Sequence, residues 1–337
     1  MFDLEKKLQP LSLTKVQSTH VPQGDHIPLA EVNWQEQDEN PEFDYLVESA
    51  KLLFRHQDQN LGIQLLGRVL HEDSYYPRAL DAMQFFFDQK GDYAQCLKIQ
   101  EQKLKVKYDF EEVASLGHIH YKCHQDQKAK EKYFEALSLV VEASDALFDV
   151  YKNLGNIFVR ERDFEQAEDF FHRAFAMNSN SDILYVNYGT LEIQKGDWLK
   201  AKSHFQKALE IQPRNDKAWV GLAMIHATFQ EMPLAWANLE TALEVFPGNK
   251  TAVLLFASWS VKEQKVSQAT EAHIQYLESQ DFDLDVSTSL VHLFCLENRF
   301  DLALMELERA LLFQPLSAEL DQLYFQIRRA SGSQELR

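Results

Sequence analysis

The residues best suited to hold a metal ion lie within one short stretch of the sequence. They are His118, His120, Cys123 and His124. Imidazole nitrogens and thiolates are common ligands of zinc. His120 and His124 are four residues apart, which places them one turn from each other if the stretch is helical. This stretch is the strongest metal candidate in the chain, and a structural role is the competing interpretation.

No motif of a known catalytic site accompanies these residues. The sequence holds no P-loop, no GxGxxG, no GxSxG and no HExxH, and His71-Glu72 is not followed by a histidine at the required distance. Aspartate and glutamate total 52 residues, so carboxylates occur throughout and no catalytic pair stands out. We therefore expect a protein that is not an enzyme and that has no cofactor and no metal site.

The formal net charge of −18 limits the classes of partner. Such a surface repels phosphate backbones and anionic lipid, so nucleic acid and membrane surfaces are poor partners. The N-terminal sequence MFDLEKKLQPLSLTK has no apolar run after its lysines, and no stretch approaches the ~18 apolar residues of a spanning helix. Cys96, Cys123 and Cys295 lie far apart and are interpreted as reduced thiols. These features predict a cytoplasmic protein.

An internal repeat must position any functional residues. Small residues recur at successive steps of 34, 33, 38, 34, 34, 34 and 34 residues, at Gly62, Cys96, Ala129, Ala167, Ala201, Ala235, Ala269 and Ala303. Two further series of mostly small residues lie twelve positions before and seven positions after this one, and large residues lie between the series. Helices approach closely where side chains are small, and large side chains fill the space beside each contact. With 11 glycines and 9 prolines the chain has few helix breakers, which predicts an all-α protein.

Two stretches carry the pattern most fully: LGNIFVRERDFEQAEDFFHRAFAMNSN and YGTLEIQKGDWLKAKSHFQKALEIQP. They resemble the tetratricopeptide repeat, with its aromatic residue, Leu-Gly, second aromatic residue, Ala, Phe, Ala and closing Pro. The family's short inner turn is matched by Gly91-Asp92-Tyr93 and Gly196-Asp197-Trp198. Prolines stand where one hairpin would end and the next begin, at Pro213, Pro247 and Pro315.

The resemblance implies a right-handed α-solenoid of about eight helical hairpins over residues 43–317. The units are predicted to begin near residues 43, 77, 110, 148, 182, 216, 250 and 284. The match is weakest over 43–109 and 250–283, where Gln84, Lys103 and Tyr276 replace small residues. The third unit carries about four extra residues, which either lengthen its second helix or form a loop.

The segments that flank the predicted solenoid differ in kind. Residues 1–42 contain four prolines and no helical period, and they are predicted to form an extended or partly disordered arm. Alternatively, this arm lies in the protein's own groove or binds a partner. Residues 318–330 are predicted to form a helix that caps the last hairpin, and residues 331–337 a flexible tail.

In this family the first helix of each hairpin lines the concave face, so the resemblance places particular side chains in a groove. The candidate protein-binding residues are Lys122, Lys152, Asn153, Asn156, Arg160, Asn187, Thr190, Lys217 and Met224. The N-terminal units offer carboxylates instead, among them Asp81 and Asp88. The same register puts His120 at an aromatic core position, which favours a structural role for the histidine stretch.

Four of these residues resemble the two-carboxylate clamp by which chaperone-binding members of the family hold a C-terminal carboxylate. Lys152, Asn156, Asn187 and Lys217 occupy four of its five places, and Gly221 stands where the fifth requires arginine. Each charge-assisted hydrogen bond to the carboxylate would contribute ~1.5–3 kcal/mol. Asparagine and lysine are also common on such helices, so a solvated surface is the competing interpretation.

An open groove without catalytic motifs predicts a non-enzymatic adaptor or scaffold that binds a partner peptide, helix or domain. The basic strip favours an acidic or C-terminal segment as the ligand, with no nucleic acid and no membrane insertion. The resemblance extends to adaptors of bacterial polarity, motility or secretion complexes. The alternative function is a chaperone-type module, either an Hsp90/Hsp70 cochaperone with a carboxylate clamp or a secretion chaperone. No oligomeric state is predicted.

Overall fold

The described part of the chain is built from α-helices alone. A computed structural model describes residues 40–56, 58–142, 144–279 and 282–332, and most of the predicted arm lies outside these ranges. Within them seventeen helices follow one another without a strand, which confirms the predicted all-α solenoid. They are α1 (Pro41–Arg55), α2 (Gln59–Glu72), α3 (Pro77–Gln89), α4 (Tyr93–Lys103), α5 (Phe110–Lys122), α6 (Asp126–Leu137), α7 (Asp145–Glu161), α8 (Phe164–Met177), α9 (Asp182–Lys195), α10 (Trp198–Ile211), α11 (Asp216–Thr228), α12 (Met232–Val245), α13 (Lys250–Ser260), α14 (Val266–Ser279), α15 (Leu284–Leu296), α16 (Phe300–Phe313) and α17 (Ala318–Gly332).

The helices pack in chain order as eight consecutive pairs, from α1 with α2 to α15 with α16. The first helices of neighbouring pairs also touch, as α5 does with α7 and α7 with α9. They therefore form one layer of the solenoid. At the C-terminal end α17 packs on α16 and buries Leu320 and Ile327. Within the described ranges, no helix combines the length and the apolar character that a membrane span requires.

Glycine and aromatic side chains set the spacing within the central pairs. A Cβ added at Gly155 on α7 would lie 2.3 Å from a ring carbon of Phe171 on α8. The same relation holds between Gly189 on α9 and Phe205 on α10, at 2.7 Å. Both rings are almost completely buried. The small residue of the repeat therefore provides the space that a buried ring occupies.

The turn within the hairpins uses the left-handed region of the backbone. At the two predicted glycine turns, Gly91 and Gly196, φ is 68° and 82°. Five other hairpins place a residue with a side chain at the equivalent position, at a cost of roughly 1–2 kcal/mol each. These residues are His124, Arg162, Gln230, Gln264 and Asn298, with φ between 55° and 62°. The turn geometry is therefore kept where the sequence carries no glycine.

Two asparagines connect neighbouring hairpins at the start of first helices. Asn215 precedes α11, where its Oδ1 accepts the Ala218 N–H at 2.9 Å and its Nδ2 donates to Asp182 on α9 at 2.8 Å. Asn249 caps α13 in the same way and donates to Asp216 on α11 at 2.6 Å. Each side chain therefore caps a helix and joins it to the preceding repeat.

We expect Asn249→Ala to lower the free energy of unfolding by about 2 kcal/mol. The substitution removes a helix cap, worth roughly 1 kcal/mol, together with a charge-assisted hydrogen bond between repeats. Chemical denaturation followed by circular dichroism measures the change. Asn180→Ala is the control, because Asn180 is exposed in a loop. Equal stability of the two variants would contradict the connecting role of Asn249.

The ends of several predicted units differ from the observed helices. α6 ends at Leu137 and α7 begins at Asp145, so the extra residues of the third unit form a connection and the first turn of α7. The first helix begins at Pro41 and the last continues to Gly332, slightly beyond the predicted limits. The division of the chain into arm, solenoid, cap and tail stays a prediction.

A hydrogen-bonded network replaces small residues in the weakly matching second unit. Gln84 donates to Gln100 at 2.8 Å, and the fully buried Gln100 donates to the backbone carbonyl of Glu112 on α5, also at 2.8 Å. The Lys103 ammonium lies 2.9 Å from Asp81 and 3.0 Å from Glu112. This unit is therefore held by paired polar groups where the regular units use small side chains.

His273 is completely buried in the other weakly matching unit. Its Nδ1 lies 2.7 Å from the Ala269 carbonyl oxygen and its Nε2 lies 2.9 Å from the Ser289 hydroxyl. Burial lowers the pKa of His273 to about 4, although the bond to the carbonyl acts in the opposite direction. At neutral pH the ring is therefore uncharged, with Nδ1–H donating to the carbonyl and Nε2 accepting from the hydroxyl.

We expect this histidine to make the fold sensitive to mild acid. The unfolded chain binds a proton at His273 near the ordinary pKa of about 6.5, whereas the folded chain resists protonation. The stability that the neutral His273 gives to the fold is complete above about pH 6.5. As the pH falls towards 4, the free energy of unfolding decreases by up to roughly 3 kcal/mol. Thermal unfolding at neutral pH and near pH 4.5 measures the loss. His273→Gln should show a shallower dependence, and identical slopes would contradict the assignment.

Candidate functional site

The predicted binding residues lie on the first helices of the central hairpins. α7 packs against α5 on one side and α9 on the other, and α9 packs against α11. These four helices form a continuous surface, the groove, which is defined by Lys122 on α5, Lys152 on α7, Asn187 on α9 and Lys217 on α11. The solenoid thus brings together residues from four repeats.

Two cations of the predicted strip are paired with carboxylates one repeat away. The ammonium of Lys122 lies 2.5 Å from Asp88 on α3. Arg160 makes two hydrogen bonds to Asp126, at 2.7 and 2.6 Å, and its guanidinium lies 4.8 Å from the centre of the Tyr121 ring. Since their charges are already matched, these side chains connect neighbouring hairpins and offer less positive charge to a ligand.

Lys152 and Asn156 make contacts that a ligand could replace. The Lys152 ammonium pairs with Asp149 one turn earlier and lies 5.6 Å from the centre of the Phe148 ring. Asn156 donates to the Tyr121 hydroxyl at 3.3 Å. The side chain of Lys152 is largely buried, with 16% of its surface exposed. An incoming carboxylate would compete with Asp149 for this ammonium.

Asn187 and Lys217 provide donors that the protein does not use. The Nδ2 of Asn187 is buried and has no hydrogen-bond partner among the described residues. Lys217, at the start of α11, is exposed. No carboxylate of the described residues forms an ion pair with it. Thr190 is exposed as well, and its hydroxyl donates to the Val186 carbonyl at 3.0 Å. Among the described residues, the donors without a partner in this region therefore lie on α9 and α11, where the Asn187 amide is covered and the Lys217 ammonium is exposed.

Asn153 and Met224 depart from the predicted arrangement. Asn153 is only 3% exposed, and its Nδ2 donates to the hydroxyl of Tyr133 on α6 at 3.0 Å. It is a core residue that satisfies a buried phenol, and the prediction that it faces a ligand is corrected on that ground. Met224 is half-buried against the apolar cluster that contains Trp236, so only part of its side chain reaches the groove.

The fifth place of the carboxylate clamp is closed to a side chain. A Cβ added at Gly221 would lie 2.4 to 2.6 Å from three ring carbons of Phe205. The Phe205 ring is 1% exposed and also packs against Gly189 on the preceding first helix. A buried ring held between two helices cannot move aside at low cost. The arginine of the clamp is therefore excluded by packing between neighbouring repeats.

The histidine and cysteine stretch takes part in local packing. The Nδ1 of His118 lies 3.4 Å from the Tyr133 hydroxyl, and that of His120 lies 3.0 Å from the Gln125 side-chain oxygen. Burial lowers the pKa of both histidines. His124 is exposed in the left-handed turn after α5. Across the ranges that the structure describes, no three His, Cys, Asp or Glu side chains are arranged to hold a metal ion.

A cavity of about 400 Å³ opens at the N-terminal end of the groove, between α3, α5 and α7. Its charged and aromatic lining residues are Asp81, Phe85, Asp88, Glu111, His118, Lys122 and Asp149. The sequence identifies Asp81 and Asp88 as groove carboxylates. Their convergence with Glu111 and Asp149 is missed, because those two residues belong to other repeats and become neighbours only when the hairpins stack.

Known proteins share both the repeat and the fold. The tetratricopeptide repeat family matches residues 183–215. A tetratricopeptide repeat protein from Parabacteroides merdae superposes with a TM-score of 0.58 and 14% identity, over 74% of this chain and 98% of that one. A chain of the APC/C hetero-tetramer Cut9-Hcn1 gives 0.51 and 15%, over 86% of this chain and 57% of that one. Among curated proteins, no sequence match is found.

Proposed function

Because this chain is a tetratricopeptide repeat protein, we propose that it is a cytoplasmic, non-enzymatic adaptor that binds a segment of a partner protein along its groove. Solenoids of this kind present extended surfaces that suit such binding. The ligand is an acidic segment or a free C terminus, held by Lys152, Asn187 and Lys217. By holding this segment the protein joins its partner to a larger complex.

The unpartnered amide of Asn187 is the observation that carries this proposal. A buried donor without an acceptor costs about 1–3 kcal/mol, which an oxygen atom of a ligand would recover once the Asn187 side chain turns towards the groove. Among the residues that the structure describes, Lys217 on the next first helix has no ion-pair partner, and Lys152 on the preceding one pairs only with a carboxylate of its own helix. Two ammonium groups on either side of an amide donor suit a carboxylate.

Affinity capture from a lysate of the source organism tests the proposal. The wild-type chain is compared with a groove variant that carries Lys152→Glu, Asn187→Ala and Lys217→Glu. We expect one or more proteins to bind the wild type and to be lost from the variant. Recovery of the same proteins by both would show that binding does not use the groove.

A chaperone-type clamp is the second candidate, because Lys152, Asn156, Asn187 and Lys217 match four of its places. Packing of Phe205 against Gly221 removes the fifth place, and Asn156 already donates to Tyr121. A peptide that ends in Glu-Glu-Val-Asp distinguishes the two functions. Micromolar binding that Lys152→Glu and Lys217→Glu abolish would support the clamp, whereas no binding at millimolar peptide would exclude it.

A further inference from the structure

Four carboxylates line the cavity at the N-terminal end of the groove. Asp81 and Glu111 at its edge are 61% and 60% exposed, and Asp88 and Asp149 complete the set of four carboxylates. Lys122 is the one ammonium group among the lining residues, and from outside the lining Lys103 lies 2.9 Å from Asp81 and Lys107 lies 3.8 Å from Glu111. Burial lowers the pKa of His118, which is therefore neutral at pH 7. The cavity therefore presents carboxylates whose ammonium partners a basic ligand could replace, whereas the surface beside it presents lysine and asparagine donors.

An exposed aromatic side chain adds an apolar surface to this cavity. Phe85 on α3 is 66% exposed although its neighbours Phe86 and Phe87 on the same helix are buried. An aromatic face near carboxylates suits a lysine or arginine side chain, because the ring contacts the aliphatic stem and attracts the cation. Carboxylates alone would attract any cation, whereas the cavity and the ring together fit a long basic side chain.

Two of the ion pairs of the cavity carboxylates involve lysines of the groove. Asp88 is paired with Lys122, and Asp149 is paired with Lys152. Asp149 lines the cavity, whereas Lys152 belongs to the proposed carboxylate site. A ligand that carries a cation and a carboxylate could replace Lys152 as the partner of Asp149, and Asp149 as the partner of Lys152. Its cation would approach Asp149 and its carboxylate would approach Lys152.

We propose that this cavity is a second subsite of the groove, which binds a lysine or arginine side chain of the partner segment. The inference rests on the proposed function, since it assigns a second contact to the same ligand. Neighbouring first helices lie roughly 10 Å apart, so α5 and α9 are separated by about 20 Å. An extended segment covers this distance with about six residues. The basic residue should therefore lie some three to eight residues from the carboxylate.

The protein's own N-terminal region contains a competing segment. Residues 6–24 hold three lysines and no acidic residue, which is unusual in a chain of net charge −18. They lie outside the residues that the structure describes. Occupation of the cavity by this segment is the alternative outcome that an experiment must separate from binding of a partner.

Fluorescence anisotropy with labelled synthetic peptides tests the second subsite on the full-length protein. The parent peptide has about twelve residues of Ser, Gln and Ala, and it ends in Glu-Val-Asp with a free carboxylate. In the series, a single arginine moves along this peptide, and an amidated copy of the parent reports on the carboxylate contact. We expect one register to bind about two- to fivefold more tightly than the parent, consistent with one partly exposed charge pair.

The variant Asp81→Asn with Glu111→Gln identifies where the arginine binds. Both side chains are mostly exposed and lie outside the proposed carboxylate site. Because Asp81 also pairs with Lys103 in the second unit, the single variant Glu111→Gln is measured beside the double variant, and chemical denaturation checks that both are folded. The double variant should remove the gain from arginine while the affinity of the parent peptide stays unchanged. No gain in any register, or a gain that survives in this variant, would overturn the subsite.

Two further comparisons keep the proposals separate. If the free and amidated parent peptides bind equally, the proposed carboxylate function fails, whatever the result with arginine. A variant with Lys6→Glu, Lys7→Glu and Lys15→Glu tests the protein's own segment. If the gain from arginine appears only in this variant, residues 6–24 fill the cavity of the wild type, and the assignment to a partner is overturned.

Discussion

Lys152→Glu combined with Lys217→Glu is expected to weaken binding of the captured partner by at least about a hundredfold. Each lysine contributes one charge-assisted hydrogen bond of ~1.5–3 kcal/mol, and charge reversal adds repulsion to that loss. Among the described residues no carboxylate forms an ion pair with Lys217, so its charge is available to the ligand. Isothermal titration calorimetry or anisotropy with the purified partner measures the change.

The second helix α10 supplies a matched control. Lys200 and Lys207 are 65% and 50% exposed, and each pairs with an acidic residue three positions away, as Lys152 does. Lys200→Glu with Lys207→Glu therefore changes the net charge by the same amount and breaks two exposed ion pairs, against the one that Lys152 makes. It should alter affinity by less than about threefold. Equal losses of affinity in the two variants would show that the effect comes from the net charge of the protein and not from contacts in the groove.

Gly221→Arg is expected to destabilise the protein by about 3 kcal/mol or more and not to complete the carboxylate clamp. Even the first carbon of a side chain would lie 2.4 Å from the Phe205 ring, which is held between two first helices. Inserting atoms into a packed core commonly costs about 1–3 kcal/mol, and a charged group must also be kept hydrated. Chemical denaturation measures the loss, and binding of the Glu-Glu-Val-Asp peptide measures any gain.

A second substitution identifies the steric cause. Phe205→Leu replaces the ring with a smaller side chain and is expected to destabilise the wild-type chain on its own. In a Gly221→Ala background, however, Phe205→Leu should restore part of the free energy of unfolding that Gly221→Ala alone removes. This non-additivity is typical of residues in direct contact. A fully folded Gly221→Arg variant that binds the peptide more tightly would show that the site accepts the arginine.

The fold could be predicted from small residues because their spacing reflects packing that every repeat must satisfy. Ala167, Ala201 and Ala235 recur every 34 residues, and all three are completely buried. The turn at Arg162 could not be identified in this way. Its left-handed backbone is imposed by the two helices that it connects, and no glycine marks the position.

The site was less predictable because its properties depend on contacts between repeats. Asn153 has the sequence position of a groove residue, yet it lies in the core, where it donates to the hydroxyl of Tyr133 on α6. The ion pair of Lys122 with Asp88 likewise joins two hairpins. These partners are 34 residues apart, so opposite charges separated by one repeat are a signal that sequence reading could have used.

Hydrogen exchange on the free protein and on the protein saturated with its captured partner tests the central claim most directly. Binding along the groove should slow exchange in α5, α7, α9 and α11, which carry Lys122, Lys152, Asn187 and Lys217. The second helices α6, α8 and α10 should exchange as they do in the free protein. Slower exchange confined to those second helices, with the first helices unchanged, would contradict binding in the groove.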